Sequence, residues 1–367
     1  MPWTGIMYNF DGIVKNCIRS SGPIGDLKHN TIQDIVTGPV NQTTQQDMLE
    51  NRPGQRCSPC YELEEGKSKF DIVSDRVFYL KELKNVDLNT YRVGNYDLQT
   101  IDIRWSNLCN FACVYCGPEF SSQWANELKI FKASPDQQQL DNLKDYIFEK
   151  AAQLKHVYLA GGEPWLMKQN LELLGFLKQK NPDVNIRVNT NLSKVDTKVF
   201  ESICGFKNVH WTISIETIED EFEYIRFGSH WQDFVQNLVT VQQLGHKISF
   251  NMLYFLLNYN SLFTCVDFLS GLGFHPNSFI IGALTKPLYL NIRHLPDSVL
   301  KLIQSTLRTR IEQQPKYLLN ESYQNLLKYI QQPFDKNLED SFQQLQSLDQ
   351  RRGLDSKKIF KDLYSLI

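Results

Sequence analysis

From about residue 98 onward, short apolar runs alternate with stretches in which apolar residues recur every three or four positions, the pattern of strands alternating with amphipathic helices. The runs LQTIDIRW (98–105), HVYLA (156–160), NIRVNT (185–190), VHWTISI (209–215), KISFNML (247–253) and SFIIGA (278–283) predict six strands. Between them the spacing predicts helices over Gln123 to Phe131, Leu171 to Gln179, Val195 to Ile203, Trp231 to Leu244 and Leu262 to Leu272. Six successive βα units imply an α/β fold, a partial (β/α)6 TIM-like barrel whose wide mouth and chemistry lie at the strand C-termini. After about residue 296 the strands stop, and amphipathic stretches near 297–312, 321–332, 339–348 and 356–366 predict a C-terminal helical extension. Residues 1–70 are rich in Gly, Pro, Asn and Gln with only short apolar runs such as Ile32 to Val36, so loops and one or two short elements are expected there. Such a segment needs a staple. The expected division is therefore a loop-rich module at 1–90, the partial barrel at 91–295 and the helical extension at 296–367. Gln-rich patches at 135–139 and 341–346 read as solvated helix surface, and there is no internal repeat.

Composition narrows the function classes. A chain of 367 residues that is 42% hydrophobic buries a substantial core, which argues against disorder. Its 39 basic and 41 acidic residues leave a net charge of −2 with no long basic block, which disfavours nucleic acid as a partner. The N-terminus MPWTGIMYNF lacks the cationic start and apolar core of a signal peptide, and MLYFLL (252–257) is too short to span a bilayer. A soluble protein of the cytoplasm, with no membrane partner, is expected.

The eight cysteines are too few for a disulfide scaffold in a chain this long, and their clustering carries the information. Cys204 and Cys265 stand alone in apolar surroundings and read as small core residues. Cys109, Cys113 and Cys116, in the run SNLCNFACVYCGPE, follow the first predicted strand with C-x3-C-x2-C spacing. Three thiolates ligate three irons of a cubane and leave the fourth open to a substrate or cofactor. A competing reading pairs the C-x2-C at 57–60 with that at 113–116 as a four-thiolate structural zinc site, but it leaves Cys17 and Cys109 unexplained.

The second motif is YLAGGEPWL, which sets Gly161, Gly162, Glu163 and Pro164 directly after the second predicted strand. The C-x3-C-x2-C loop after strand one and GGEP after strand two, in that order, resemble the radical S-adenosylmethionine (radical SAM) superfamily. The resemblance implies a 4Fe-4S cluster on Cys109, Cys113 and Cys116 whose open iron is chelated by S-adenosyl-L-methionine. It also implies that the GGEP strand end binds the cofactor's ammonium; glycines permit close backbone approach and Glu163 complements a positive charge. Tyr115 matches a position near the adenine, with ordinary packing as the alternative. Asn189, Thr190 and Asn191 at the end of the third strand, and Ser214 and Glu216 at the end of the fourth, are placed for ribose hydroxyls or for helix caps. Arg226 is placed for the cofactor carboxylate or for a surface salt bridge. By the same resemblance the reduced cluster cleaves the cofactor to methionine and a 5′-deoxyadenosyl radical, which abstracts a hydrogen from a peptide or a small polar, sugar-like substrate. An external electron donor such as flavodoxin or ferredoxin supplies the electron. No residue reads as a general acid or base.

The N-terminal pattern PW…DG…CIRS…IGDL…NRPGQRCSPCYELEEG resembles the auxiliary-cluster twitch module, or its larger SPASM relatives, here preceding the barrel as in phage and bacterial proteins of this arrangement. That resemblance places a second, auxiliary 4Fe-4S cluster on Cys17, Cys57 and Cys60, aiding substrate binding or electron transfer. Relatives commonly carry a further cysteine before the Pro-Trp pair; here Pro2 and Trp3 follow Met1, and the fourth ligand stays open among a non-cysteine side chain, substrate, water and a cysteine outside this sequence. The alternative from another class is a non-catalytic binding protein stapled by zinc or a cluster.

Overall fold

The computed structural model describes residues 1–65, 91–313 and 317–366, so part of the expected 1–90 module, residues 66–90, lies outside the described residues. The chain divides into two compact units.

The first unit comprises Met1–Cys109, Pro118–Asn189 and Val195–Trp211. Its strands are β1 (Gly5–Asn9), β2 (Ile13–Lys15), β3 (Gly25–Asp26), β4 (Thr100–Arg104), β5 (His156–Leu159), β6 (Asn185–Thr190) and the start of β7 (Val209–Ser214), in the order β3-β2-β1-β4-β5-β6-β7. β1, β4, β5 and β6 run parallel, while β2 and β3 return antiparallel at the β1 edge. Side chains alternate across a strand, so every second residue faces the helices. On that face Ile101, Ile103, Val157, Leu159, Ile186 and Val188 are buried. Helices Gln137–Glu149, Lys168–Lys180 and Lys198–Cys204 contribute Leu143, Ile147, Leu173, Leu174, Leu177 and Ile203 to the same core. Strands β4 to β6 fall where the hydrophobic pattern places them, whereas β1 to β3 and the helices Ile32–Thr37, Pro39–Leu49 and Ser58–Glu64 exceed the loops and one or two short elements expected before them. The staple in this segment is polar: on helix Pro39–Leu49, the buried Asn41 and Gln45 bond the carbonyls of Pro2, Val36 and Asn95, and Gln45 accepts from Gly94 N at 2.8 Å. Their i, i+4 spacing puts both amides on one helix face.

The second unit comprises Asn110–Gly117, Thr190–Lys194 and Thr212 onward. Here the end of β7 precedes the parallel pair β8 (Lys247–Tyr254) and β9 (Phe279–Ala283), and Phe250 stacks on Phe279 and meets Phe274 edge-on. The outer edge of β9 is closed by helix Leu318–Ile330, whose Ser322 hydroxyl accepts from Ile281 N at 3.1 Å. Covering an edge in this way removes a template for aggregation. Helices Asp297–Gln313 and Leu338–Arg352 flank that helix in the chain. The architecture is α/β with a parallel sheet, the partial-barrel class expected from the six βα units. Among the described residues no helix is long and apolar enough to cross a membrane.

A buried histidine ties this region together. His294 accepts from Asn337 N at its Nδ1 (2.8 Å) and contacts the Leu288 carbonyl through Nε2 (2.9 Å), which requires the neutral tautomer with its proton on Nε2. Burial lowers its pKa below the usual histidine range. A depressed folded-state pKa means stability that is complete above the unfolded value and lost as pH falls through the folded one. Melting curves are therefore expected to shift downward on acidification below about pH 6.5, and His294→Gln is expected to flatten that acid dependence.

Candidate active site

In the first unit, the candidate residues gather at the junction between the end of β5 and the residues that lead into the first cysteine. Gly161 adopts φ of +128°, where other residues are strained, and a Cβ there would lie 2.9 Å from the Ser106 carbonyl oxygen. A Cβ on Gly162 would lie 2.1 Å from the Leu108 carbonyl oxygen. Both glycines are thus required by the approach of the cysteine loop itself. Glu163 N donates to Leu108 O at 2.8 Å and Gly162 N to Ser106 O at 3.3 Å. Glu163 is fully buried, and Pro164 opens a short 3-10 turn whose carbonyl accepts from the buried Asn170 amide at 3.0 Å. Trp165 anchors the turn against Phe200 and Trp211. Cys109 is fixed through its backbone: its N donates to Ser122 Oγ, and the same hydroxyl donates to its carbonyl, both at 3.1 Å.

In the second unit, the candidate residues are built on Asn110–Gly117. Ala112 N and Val114 N donate to the carbonyls of Phe227 and Ile225 at 2.9 and 2.8 Å, and Cys116 N closes a turn onto Cys113 O at 2.9 Å. Beneath this loop, Arg226 and Glu216 form a bidentate pair, Nε to Oε2 at 2.8 Å and Nη2 to Oε1 at 2.7 Å, with both side chains at 2% exposure or less. The Tyr115 hydroxyl donates to the same Glu216 Oε1 at 2.9 Å, and its ring meets Phe255 edge-on. Arg226 is therefore no surface residue. Its guanidinium is committed to a carboxylate of this chain, and Glu216, assigned from sequence to ribose hydroxyls or a cap, serves as the acceptor for both Tyr115 and Arg226. Burial pushes the Cys113 thiol up, with Arg226 opposing that rise. A thiolate at this position thus calls for further positive charge, which a metal supplies.

The remaining strand-end residues form turns. Thr190 Oγ1 accepts from Leu192 N at 2.8 Å, Asn191 Oδ1 accepts from Ser193 N at 2.9 Å, and Asn191 Nδ2 donates to Asn110 Oδ1 at 3.1 Å. The capping alternative fails here, because helix Lys198–Cys204 is capped by Thr197. It fails likewise at Ser214 and Glu216, since helix Glu219–Ile225 begins at Ile218 with no side-chain cap. Asn189 and Ser214 are partly buried at the ends of β6 and β7.

Of the N-terminal cysteines, Cys17 and Cys57 lie on neighbouring segments that bond each other. Ser21 N and Oγ bond the carbonyls of Arg56 and Gln55, and both cysteines act electrostatically on the buried Met1 amine, whose pKa burial lowers to about 6. Cys60 is buried on helix Ser58–Glu64. Among the described residues, no three cysteine, histidine or carboxylate side chains come together in a metal-binding arrangement.

Residues 103–269 match the family described as the Radical SAM superfamily. The chain carries a Radical SAM superfamily domain. It is 22% identical over 148 residues to GTP 3′,8-cyclase of Campylobacter lari, covering 39% of this chain and 42% of that protein. To GTP 3′,8-cyclase of Sulfurimonas denitrificans it is 24% identical over 172 residues, covering 44% and 49%. The matches thus span less than half the length of these curated relatives. Among solved structures it is similar to anSMEcpe with bound AdoMet and a peptide, at 13% identity and TM-score 0.43 over 56% of this chain and 58% of that one. It is also similar to Streptococcus suis SuiB bound to its precursor peptide SuiA, at 16% identity and TM-score 0.42 over 59% and 46%.

A radical SAM enzyme uses a 4Fe-4S cluster and S-adenosylmethionine. The donor set suits such a cluster by its chemistry and spacing, three thiols within eight residues on a loop with backbone hydrogen bonds at both ends, although the three side chains are not gathered into a metal-binding arrangement in this structure. The feature that sequence reading missed is the Glu216 carboxylate beneath Tyr115. The only signal for it was a Glu and an Arg ten residues apart, in a stretch that also carries Glu219, Asp220, Glu221 and Glu223.

Proposed function

We propose that Cys109, Cys113 and Cys116 hold the cluster and that the GGEP strand end, Gly161 to Pro164, with Tyr115, Asn189, Asn191 and Ser214, lines the S-adenosylmethionine site. Arg226 enters that site through Glu216 and Tyr115. The enzyme cleaves the cofactor reductively and takes a hydrogen atom from a peptide or a small polar, sugar-like substrate. Cys17, Cys57 and Cys60 hold an auxiliary cluster in a 1–90 module, beside a barrel at 91–295 and a helical extension at 296–367. A flavodoxin or ferredoxin in the cytoplasm supplies the electron. The observation that carries this reading is the bonding of GGEP to Ser106 and Leu108: the proposed cofactor edge is built against the residue that precedes the first cluster cysteine.

The test is anaerobic reconstitution with iron and sulfide, followed by iron counting and a 5′-deoxyadenosine assay under reducing conditions. About eight irons per chain are expected, against about four for a single cluster. Cys113→Ala is expected to abolish 5′-deoxyadenosine formation. Equal product from wild type and Cys113→Ala, or stoichiometric zinc in anaerobically purified protein with no cofactor turnover, would overturn the reading in favour of a metal-stapled binding protein.

A further inference from the structure

The sheet of the first unit has two faces of opposite character. The register aligns Ile101 with Val157 and Ile186, and Ile103 with Leu159 and Val188, and all six side chains are at most 1% exposed against the helices. The alternate positions form another row: Asp102 pairs with Tyr158, and Tyr158 with Arg187, while Arg104 lies two residues beyond Asp102 on the same face. Arg104 Nη1 lies 2.7 Å from Asp102 Oδ1. The guanidinium carbons of Arg104 and Arg187 are 6.0 and 5.7 Å from the Tyr158 ring centroid, so two cations bracket one aromatic ring. The row thus carries two guanidinium groups and one carboxylate.

Packing does not require such a row. The outer face of the same strands shows that aliphatic residues suffice where a neighbouring layer is the only demand. Replacing a buried ion pair by apolar residues of similar volume is commonly neutral or stabilising, so a charged row on a central strand is retained at a cost. Its position indicates what it is for. Arg104 is the last residue of β4, at the strand end where βα folds place their chemistry, and its Cα lies 3.6 Å from where a Gly161 Cβ would project. Asp102 holds Arg104 in one orientation, and the flat guanidinium groups present paired N–H donors of the kind that bind planar or tetrahedral oxyanions.

We propose that Arg104 and Arg187, positioned on either side of Tyr158, bind an oxyanion of the substrate, a carboxylate or a phosphate group. This rests on the enzyme reading above and adds the chemical class of its substrate. The substrate being unidentified, the probes are inorganic pyrophosphate and succinate, titrated calorimetrically into anaerobically reconstituted protein at low salt. Saturable binding of one of them is expected, with pyrophosphate marking a phosphate group and succinate a carboxylate. Arg187→Gln is expected to weaken that binding at least tenfold. Arg187→Lys, which keeps the charge, is expected to weaken it less, and Arg308→Gln on an exposed helix surface is expected to bind as wild type does. Equal binding by wild type and a folded Arg187→Gln, a loss in Arg308→Gln as large as that in Arg187→Gln, or no saturable binding of either probe would overturn the inference. The 5′-deoxyadenosine assay on the same wild-type preparation separates the two readings. Product without anion binding removes only the oxyanion site, whereas Arg187-dependent binding without product removes only the radical reading.

Discussion

Replacing Arg226 by methionine is expected to destabilise the second unit by about 3–5 kcal/mol, the range for breaking a buried ion pair by removing one partner. The reason lies in what stays behind. Glu216 is 1% exposed and receives two bonds from Arg226 and one from Tyr115. Without the guanidinium, an almost fully desolvated carboxylate keeps the Tyr115 hydroxyl and the rest of its neutral surroundings but loses the charge that compensated it. The melting transition should fall by on the order of 10 °C, since about 1 kcal/mol corresponds to 2–4 °C in a unit of this size. The double variant Arg226→Met/Glu216→Gln removes both charges and should recover most of the loss. Tyr115→Phe, which removes one hydrogen bond, should cost about 1 kcal/mol. A double variant as unstable as Arg226→Met alone would mean that packing rather than charge holds this loop. Because Tyr115 lies between Cys113 and Cys116, the single variant should also retain less iron after reconstitution than the double variant does.

The same residues show where sequence reading reaches and where it stops. Strands β4 to β9 were legible because each carries its own apolar run bounded by turn residues, and a strand with one face buried declares itself locally. β1 to β3 were not legible. GIMYN is short and begins and ends in Gly and Asn, and it is a strand because β4 pairs with it in parallel from Gly5↔Thr100 to Asn9↔Arg104, some 95 residues away in the chain. Asn41 and Gln45 escaped for the opposite reason. A hydrophobic pattern assigns amides to the surface, yet these are buried and occupied by backbone groups. Helix Gln137–Glu149 showed only as a solvated Gln-rich patch, although its Leu143 and Ile147 are buried. At the site, the cysteine spacing and GGEP were visible because both are continuous in sequence. The joining of Glu216 to Arg226 and Tyr115 was not, since each residue taken alone suits a ligand as well as it suits the others.

Gly162→Ala is expected to leave less than about a tenth of wild-type iron and 5′-deoxyadenosine, with the fold retained. The added Cβ would lie 2.1 Å from Leu108 O, 2.5 Å from its carbonyl carbon and 2.6 Å from Asn107 O. All three are backbone atoms, so no side chain can swing away. Relief requires the Ser106–Leu108 segment to move, and that segment is tied down elsewhere: Asn107 O accepts from Ser122 N at 2.8 Å and Asn107 Nδ2 donates to Pro118 O at 2.9 Å. Displacing Leu108 O also removes the acceptor of Glu163 N, so overpacking of about 1–3 kcal/mol is compounded by a lost hydrogen bond. Cys109 is the next residue, and its thiol moves with its backbone. Gly175→Ala supplies the contrast: it lies within helix Lys168–Lys180, a Cβ there meets nothing within 4 Å, and alanine should stabilise the helix by about 0.5–1 kcal/mol. Activity should therefore survive Gly175→Ala and be lost in Gly162→Ala. Full iron content and cofactor cleavage in Gly162→Ala would show that the cysteine loop does not depend on the strand end for its position, and would remove the observation on which the functional reading rests.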